Sequence, residues 1–174
     1  MKRIGASLSL LFAAVLLPTV AGAQVVLKGS DLNESALIDA LTPRAGTRNL
    51  ARDPQRAASR NPAASILITF ETNSTELTPQ AKGQLDIVGR ALASNRLAEF
   101  NFLLEGHADP RGTTEHNQWL SEGRARTVLD YLVASHKIDA SRLKSIGKGD
   151  REPLNRNDPA AAENRRVTIV TMTN

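Results

Sequence analysis

Residues 99–132 encode a strand, a polar loop and a long helix in direct succession, EFNFLLEGHADPRGTTEHNQWLSEGRARTVLDYL. In the first part, Phe100, Phe102 and Leu104 recur at every second position, which predicts a strand over 99–105 with one apolar face. The polar loop 106–114 follows. Apolar residues then repeat with the period of a helix that runs to about residue 135, at Ala125, Val128, Leu129 and Leu132.

The flanking sequence repeats this alternation of strands and helices. A β-rich run at 66–70 precedes Thr78-Pro79, a capping hydroxyl followed by proline, which is typical of a helix start. After the long helix come a short turn at 139–142 and strands at 143–147 and 166–172. The order β-α-β-α-β-(turn)-β on a small sheet predicts an α+β fold, a two-layer α/β sandwich.

The N-terminal residues 1–23 have the order of a secretory signal peptide. A basic start, Lys2-Arg3, precedes the short apolar run Leu8–Leu17, and Ala21-Gly22-Ala23 supplies the small residues of a cleavage site. We therefore predict export, with Gln24 as the first mature residue; a retained N-terminal anchor is the alternative. The chain has no Cys, which excludes disulfides, thiolate metal sites and lipid attachment through a cysteine.

Charge argues against a nucleic-acid partner. The 174 residues include 22 Lys and Arg and 18 Asp and Glu, a net charge of +4. Because the signal peptide holds two of the basic residues, the mature chain carries only about +2, less than a protein that binds a bulk polyanion usually has.

Residues 24–64 predict a leader with little core of its own, followed by a domain over 65–174. A helix capped by Ser30 would carry an apolar stripe that packs on the domain or on a partner protein, formed by Leu32, Ala36, Leu37, Ala40 and Leu41. A basic linker follows, with arginine at every fourth position: Arg44, Arg48, Arg52, Arg56 and Arg60. It predicts a solvated tether, or a segment attracted to anionic lipids or wall polymers.

The loop and the long helix carry the candidate binding residues. Asp109 lies in the loop, and Asn117 and Arg124 are seven residues apart, so they share one helix face. If Asp109 and Arg124 stand on opposite walls of one site without pairing, the guanidinium can bind a ligand carboxylate and the acid a ligand ammonium. The alternative is an ordinary surface salt bridge between them.

Several spaced motifs resemble the OmpA-like C-terminal domain family, which includes the peptidoglycan-associated lipoprotein and the periplasmic part of flagellar motor stators. They span about residues 66–171: Phe70-Glu71-Thr72-Asn73-Ser74 with Glu76-Leu77-Thr78-Pro79, Gly106-His107-Ala108-Asp109, Gly112, Asn117, Leu120-Ser121, Arg124-Ala125, Asp139, Ser141-Arg142-Leu143, Gly147-Lys148-Gly149, Pro153 and Asn164-Arg165-Arg166-Val167. Three positions depart from the family pattern: Ala108, where Thr is usual, His116, where Tyr is frequent, and Gly123.

The resemblance implies a periplasmic protein that binds the meso-diaminopimelate of peptidoglycan stem peptides without covalent chemistry. Asp109 would bind the ligand ammonium and Arg124 the ligand carboxylate, with supporting contacts from Asn73, Asn117, Thr72 and Arg166. We expect no catalytic residue, no metal, no cofactor and no nucleic acid. An envelope protein bound through residues 24–62 and an outer-membrane association without a spanning segment are further expectations.

Two other functions stay open at this point. His107, Asp109 and His116 could belong to a metal-dependent peptidoglycan hydrolase, although a metal needs three or four converging ligands. The chain could also be a scaffold whose ligand is a protein docked on residues 24–62.

Overall fold

The computed structural model describes residues 25–43, 61–68, 70 and 73–172. The elements of this part, in chain order, are β1 (Val25–Leu27), α1 (Glu34–Leu41), β2 (Ala63–Ile66), α2 (Pro79–Ala93), β3 (Asn101–Gly106), α3 (Thr114–His136), β4 (Leu143–Gly147) and β5 (Val167–Met172). Short 3-10 helices lie at Gly29–Asp31, Ala140–Arg142 and Ala162–Asn164. The predicted signal peptide, the basic stretch Arg44–Arg60 and Thr72 fall outside the described residues.

The strands form one five-stranded sheet in the order β1-β2-β5-β3-β4. The pairs β1–β2 and β3–β4 are parallel, while β5 runs antiparallel to both of its neighbours. The helices form a second layer, in which α1 contacts α2, α2 contacts α3, and α1 and α3 contact the strands. The predicted two-layer α+β fold is confirmed. No helix in the described ranges combines the length and the apolar character that a membrane span requires.

Local chemistry explains where the elements begin. The hydroxyl of Thr78 accepts a hydrogen bond of 3.1 Å from the Ala81 backbone, and Pro79 opens α2 as predicted. Along β3, Phe102 and Leu104 are fully buried and their neighbours are half-buried, which is the period-two pattern of a sheet with one core face. The strand predicted at 143–147 is β4.

The first predicted strand is displaced. Residues 66–70 were expected to form it, whereas β2 is Ala63–Ile66. The backbone of Ile68 donates to the carbonyl of Ile66 at 3.0 Å, a tight turn that ends the strand, and Phe70 forms only an isolated bridge with Leu77. The weak strand formers at the start of β2 are held in place from both sides, because β2 pairs with β1 and with β5.

Part of the predicted leader belongs to the same core. β1 adds an edge strand to the sheet, and Leu37 and Leu41 of α1 are fully buried. The carbonyl of Leu41 also accepts a hydrogen bond of 2.7 Å from the hydroxyl of Thr171 in β5. The expectation of a leader with little core is therefore wrong for residues 25–43, and we propose that the folded unit begins near Val25 rather than at residue 65.

Two glycines bring α3 close to the sheet. Gly106 and Gly147 are register partners at the carboxyl ends of β3 and β4. A Cβ on Gly106 would overlap the carbonyl oxygen of Ser121, and one on Gly147 would lie 2.6 Å from the Glu122 backbone nitrogen. The helix backbone thus rests directly on the strand ends, next to the loop that follows β3.

Candidate functional site

A cleft of about 420 Å³ opens where β3 ends. The loop after β3, the first half of α3, the segment around Phe70, and Arg165 before β5 all contribute to it. Its lining residues are Phe70, Asn73, Ala108, Asp109, Arg111, His116, Asn117, Leu120, Arg124 and Arg165. The helix starts beside the cleft because the Thr113 hydroxyl caps it, accepting a hydrogen bond of 3.2 Å from the His116 backbone.

Asp109 is an ionised carboxylate saturated with donors. It is 5% exposed and accepts from the Arg111 backbone (3.1 Å), Nε (3.0 Å) and Nη2 (2.7 Å), and from Arg165 Nη1 (2.8 Å). The side-chain hydrogen bonds from Arg111, which outweigh burial, and then the bond from Arg165 lower the pKa of Asp109 to about 2. A ligand ammonium that binds this carboxylate has to displace one of these N–H groups.

Arg124 presents a less satisfied charge. It is 8% exposed, and its Nε donates to the Ser74 carbonyl at 3.0 Å while the guanidinium lies 4.9 Å from the centre of the Phe70 ring. Among the described residues it makes no other hydrogen bond, so neither Nη group is occupied by them. Burial and then the charge of nearby Arg165 lower the pKa of Arg124.

Asp109 and Arg124 therefore line one cleft without bonding to each other in the described structure, so the surface salt bridge between them is not formed. The zwitterion interpretation considered only the pairing of Asp109 with Arg124, whereas Asp109 is fully occupied by Arg111 and Arg165. Sequence reasoning missed both arginines. Arg111 stands two residues after Asp109 in the loop, a spacing that could have suggested the contact, but Arg165 lies far away in sequence.

Asn73 and Asn117 reach the cleft, but Arg166 does not line it. Asn73 adopts a left-handed backbone (φ 50°), and its Oδ1 lies 2.7 Å from His116 Nε2. Asn117 is 2% exposed and donates to Asp150 at 3.1 Å. Arg166 is buried, donates to the Glu152 carbonyl at 3.3 Å, and finds no partner for Nε or Nη1 among the described residues.

The departures from the family pattern have structural consequences. Ala108 is buried, and its backbone donates to the Gly149 carbonyl at 2.8 Å, so the loop is fixed without a hydroxyl at this position. At Gly123, a Cβ would lie 2.7 Å from Thr75 Cγ2. The absence of a side chain at Gly123 lets the segment before α2 pack against α3. Glycine also lowers the intrinsic helix propensity of α3 at this position.

His107 lies beneath the loop. It is 3% exposed, its Nε2 is 3.4 Å from the Thr168 hydroxyl, and burial, followed by the charges of Arg166 and Lys148, lowers its pKa to about 3. Within the described ranges, no three His, Cys, Asp or Glu side chains converge as metal ligands would. The neutral, buried imidazole of His107 therefore contributes to packing beneath the loop.

The depressed pKa of His107 predicts loss of stability in acid. The unfolded chain binds a proton at this residue below about pH 6.5 and the folded chain does not until about pH 3, so stability falls as the pH drops through that window. We expect a loss of up to about 3 kcal/mol at pH 4 relative to pH 7. Urea unfolding across this range should show a shallower pH dependence for His107→Gln, and parallel profiles would refute the assignment.

Known proteins resemble this chain in sequence and in fold. The model of the OmpA family matches residues 69–166. The peptidoglycan-associated lipoprotein of Pseudomonas putida is 31% identical over 163 residues, 91% of this chain and 94% of the relative. The peptidoglycan-associated lipoprotein of Burkholderia pseudomallei has a similar structure, with 25% identity, a TM-score of 0.52, and coverage of 70% of this chain and 98% of that one. The cell wall anchor of the T6SS from Pseudomonas aeruginosa is 29% identical with a TM-score of 0.56, over 76% of this chain and 99% of that one. The chain belongs to the OmpA family.

Proposed function

We propose that this protein binds peptidoglycan without modifying it and so anchors itself, or a partner, in the cell envelope. The observation that carries the proposal is that Asp109, held ionised, and Arg124, whose Nη groups bond to no described residue, line one cleft without bonding to each other. Support comes from membership of the OmpA family and from two relatives named for peptidoglycan association and for cell-wall anchoring.

The charge of the cleft favours an anionic ligand. Among the described lining residues, three guanidinium groups, those of Arg111, Arg124 and Arg165, face one carboxylate, that of Asp109. Arg124 and Arg165 are close enough for the charge of Arg165 to depress the pKa of Arg124. A carboxylate bound between them would relieve this repulsion, and charge-assisted hydrogen bonds to it are shorter and stronger than neutral ones.

Among the carboxylate-bearing groups of peptidoglycan, we propose meso-diaminopimelate of the stem peptide as the group that the cleft binds. Its side chain ends in a carboxylate and an ammonium on one carbon. The carboxylate would bind the Nη groups of Arg124, and the ammonium would bind Asp109. Arg111 is the donor that we expect to move aside, because its side chain is 66% exposed. Asn73 and Asn117 would supply further polar contacts, and Thr72 remains a proposed contact. Arg166 is not part of this proposal, because its side chain does not line the cleft and donates to the Glu152 carbonyl.

The proposal includes no catalysis. Asp109, with a pKa of about 2, is too weak a base and too rarely protonated to serve as a general acid or base near neutral pH. His107 is buried under the loop and does not line the cleft. Incubation of the protein with purified sacculi should therefore release no soluble fragments, with or without a chelator, and metal-dependent release would contradict the assignment.

We further propose export to the periplasm and an association with the outer membrane that is made through other molecules. Because Leu27 of β1 and Leu37 and Leu41 of α1 are buried in the core of the domain, a partner protein has less of residues 24–62 available than the sequence indicated. The basic stretch Arg44–Arg60 is the part of the leader that remains a candidate for such contacts.

The direct test compares two ligands that differ by one carboxylate. A stem tetrapeptide with meso-diaminopimelate and the same peptide with lysine share every other group. We expect the lysine peptide to bind about 10-fold to 100-fold more weakly in calorimetric titration, because it lacks the carboxylate assigned to Arg124. Equal affinities would exclude recognition of the diaminopimelate carboxylate, and failure of both peptides to bind would exclude the stem peptide as the ligand.

A further inference from the structure

A single tryptophan stands exposed beside the cleft. Trp119 is the only Trp of the chain, and 62% of its surface is accessible in the described structure. It lies on α3 between two residues that line the cleft, His116 one turn before it and Leu120 directly after it. The Trp119 and His116 rings are 6.0 Å apart and tilted by 32°, and His116 is held by Asn73.

Trp119 has no role in the core. The buried cluster is built from other residues of α3, namely Val128, Leu129 and Leu132. Large aromatic side chains contribute most when they are removed from water, and Trp is enriched where proteins contact other molecules. The ring is therefore better explained by contact with a ligand than by the stability of the domain.

The position of the ring along α3 fits a ligand that extends out of the cleft. With a rise of about 1.5 Å per residue, Trp119 lies about 7–8 Å from Arg124 along the helix axis and His116 about 12 Å. At about 100° per residue, Trp119 is also turned about 140° from Arg124 around the helix, beyond His116, so a ligand held in the cleft reaches it by passing over His116. In a peptidoglycan stem, two residues and a lactyl group separate diaminopimelate from the muramic-acid sugar. Two extended residues span about 7 Å, and the diaminopimelate side chain and the lactyl group lengthen this reach, so a diaminopimelate held by Arg124 can bring that sugar as far as the aromatic pair.

We propose that Trp119 and His116 form a platform that binds the muramic-acid sugar of the glycan strand, an inference that rests on the proposed function. One face of a pyranose ring presents C–H groups, which pack on an aromatic ring, while the indole N–H can donate to a hydroxyl or acetyl oxygen. The cleft would thus bind the stem peptide, and the platform would bind the sugar to which the peptide is attached.

The single Trp provides the measurement. Two ligands share the stem tetrapeptide, and only one carries the GlcNAc–MurNAc disaccharide. We expect wild-type protein to bind the disaccharide form about 5-fold to 10-fold more tightly, with a blue shift of the Trp emission that the free tetrapeptide does not produce. Trp119→Ala should remove the difference between the two affinities and leave the tetrapeptide affinity within about twofold. Ile146→Ala, a change at another exposed apolar residue, on β4, is the matched control and should alter neither.

The outcomes separate the two proposals. If neither ligand binds, the proposed function fails. If both bind with equal affinity and the emission is unchanged, the proposed sugar platform is wrong, and a protein partner becomes the candidate ligand of Trp119. Emission that is already blue-shifted without ligand would show that another part of the chain covers the ring, which would also overturn the platform.

Discussion

Replacing Gly106 with alanine should lower the free energy of unfolding by about 3 kcal/mol or more, the upper end of what overpacking costs. The added methyl group would overlap the carbonyl oxygen of Ser121, which is helix backbone and cannot rotate away as a side chain can. Gly147, the register partner of Gly106, meets the same helix, so α3 has no room to slide along the sheet. Urea denaturation followed by circular dichroism measures the loss.

Gly83→Ala is the matched control for this substitution. Gly83 lies within α2, is exposed, and a Cβ there would meet no atom within 4 Å. Because alanine is the better helix former, Gly83→Ala should stabilise the protein by about 0.5–1 kcal/mol. If Gly106→Ala behaved like Gly83→Ala, the close contact between α3 and the ends of β3 and β4 would be wrong.

The sequence predicts those parts of the fold that local periodicity and capping determine. The cap at Thr78-Pro79 and the strand at Leu143–Gly147 are local features, and both lie where they were expected. β1 and the position of β2 are different in kind. A three-residue strand and a strand that begins with two alanines have little intrinsic preference for extended structure. They form because β1 pairs with β2, and β2 also pairs with β5.

The same distinction applies to the site. The loop after a strand and the face of the next helix indicated Asp109, Asn117 and Arg124 as neighbours, and all three line the cleft. The sequence analysis assigned Arg166 to the site, but Arg165 lines the cleft instead. Neighbouring side chains of an extended segment point in opposite directions, and the motif alone does not show which of the two faces the cleft. In the structure Arg165 reaches Asp109, whereas Arg166 is buried toward the Glu152 carbonyl.

The largest effect on binding should come from the two charges that face the ligand. Arg124→Gln is expected to weaken the diaminopimelate tetrapeptide at least about 10-fold, and up to 100-fold, because hydrogen bonds to a charged partner are worth more than neutral ones. Asp109→Asn should cause a loss of similar size, since the amide keeps the shape of the side chain and removes the charge that attracts the ammonium. Co-sedimentation with sacculi should fall in both variants, and urea unfolding establishes that each variant is folded under the assay conditions.

Arg126→Gln is the matched control, because Arg126 lies on the same helix, is exposed, and pairs with Asp130 instead of facing the cleft. It should change the affinity by less than about twofold, since an exposed ion pair contributes little.

Arg124→Lys adds a finer comparison: the charge remains while the planar fork is lost, so its affinity should fall between those of wild type and Arg124→Gln. Undiminished binding in folded Arg124→Gln and Asp109→Asn proteins would mean that the stem peptide is held somewhere else on the molecule. A loss in Arg126→Gln as large as that in Arg124→Gln would mean that overall charge, and not the geometry of the cleft, attracts the ligand.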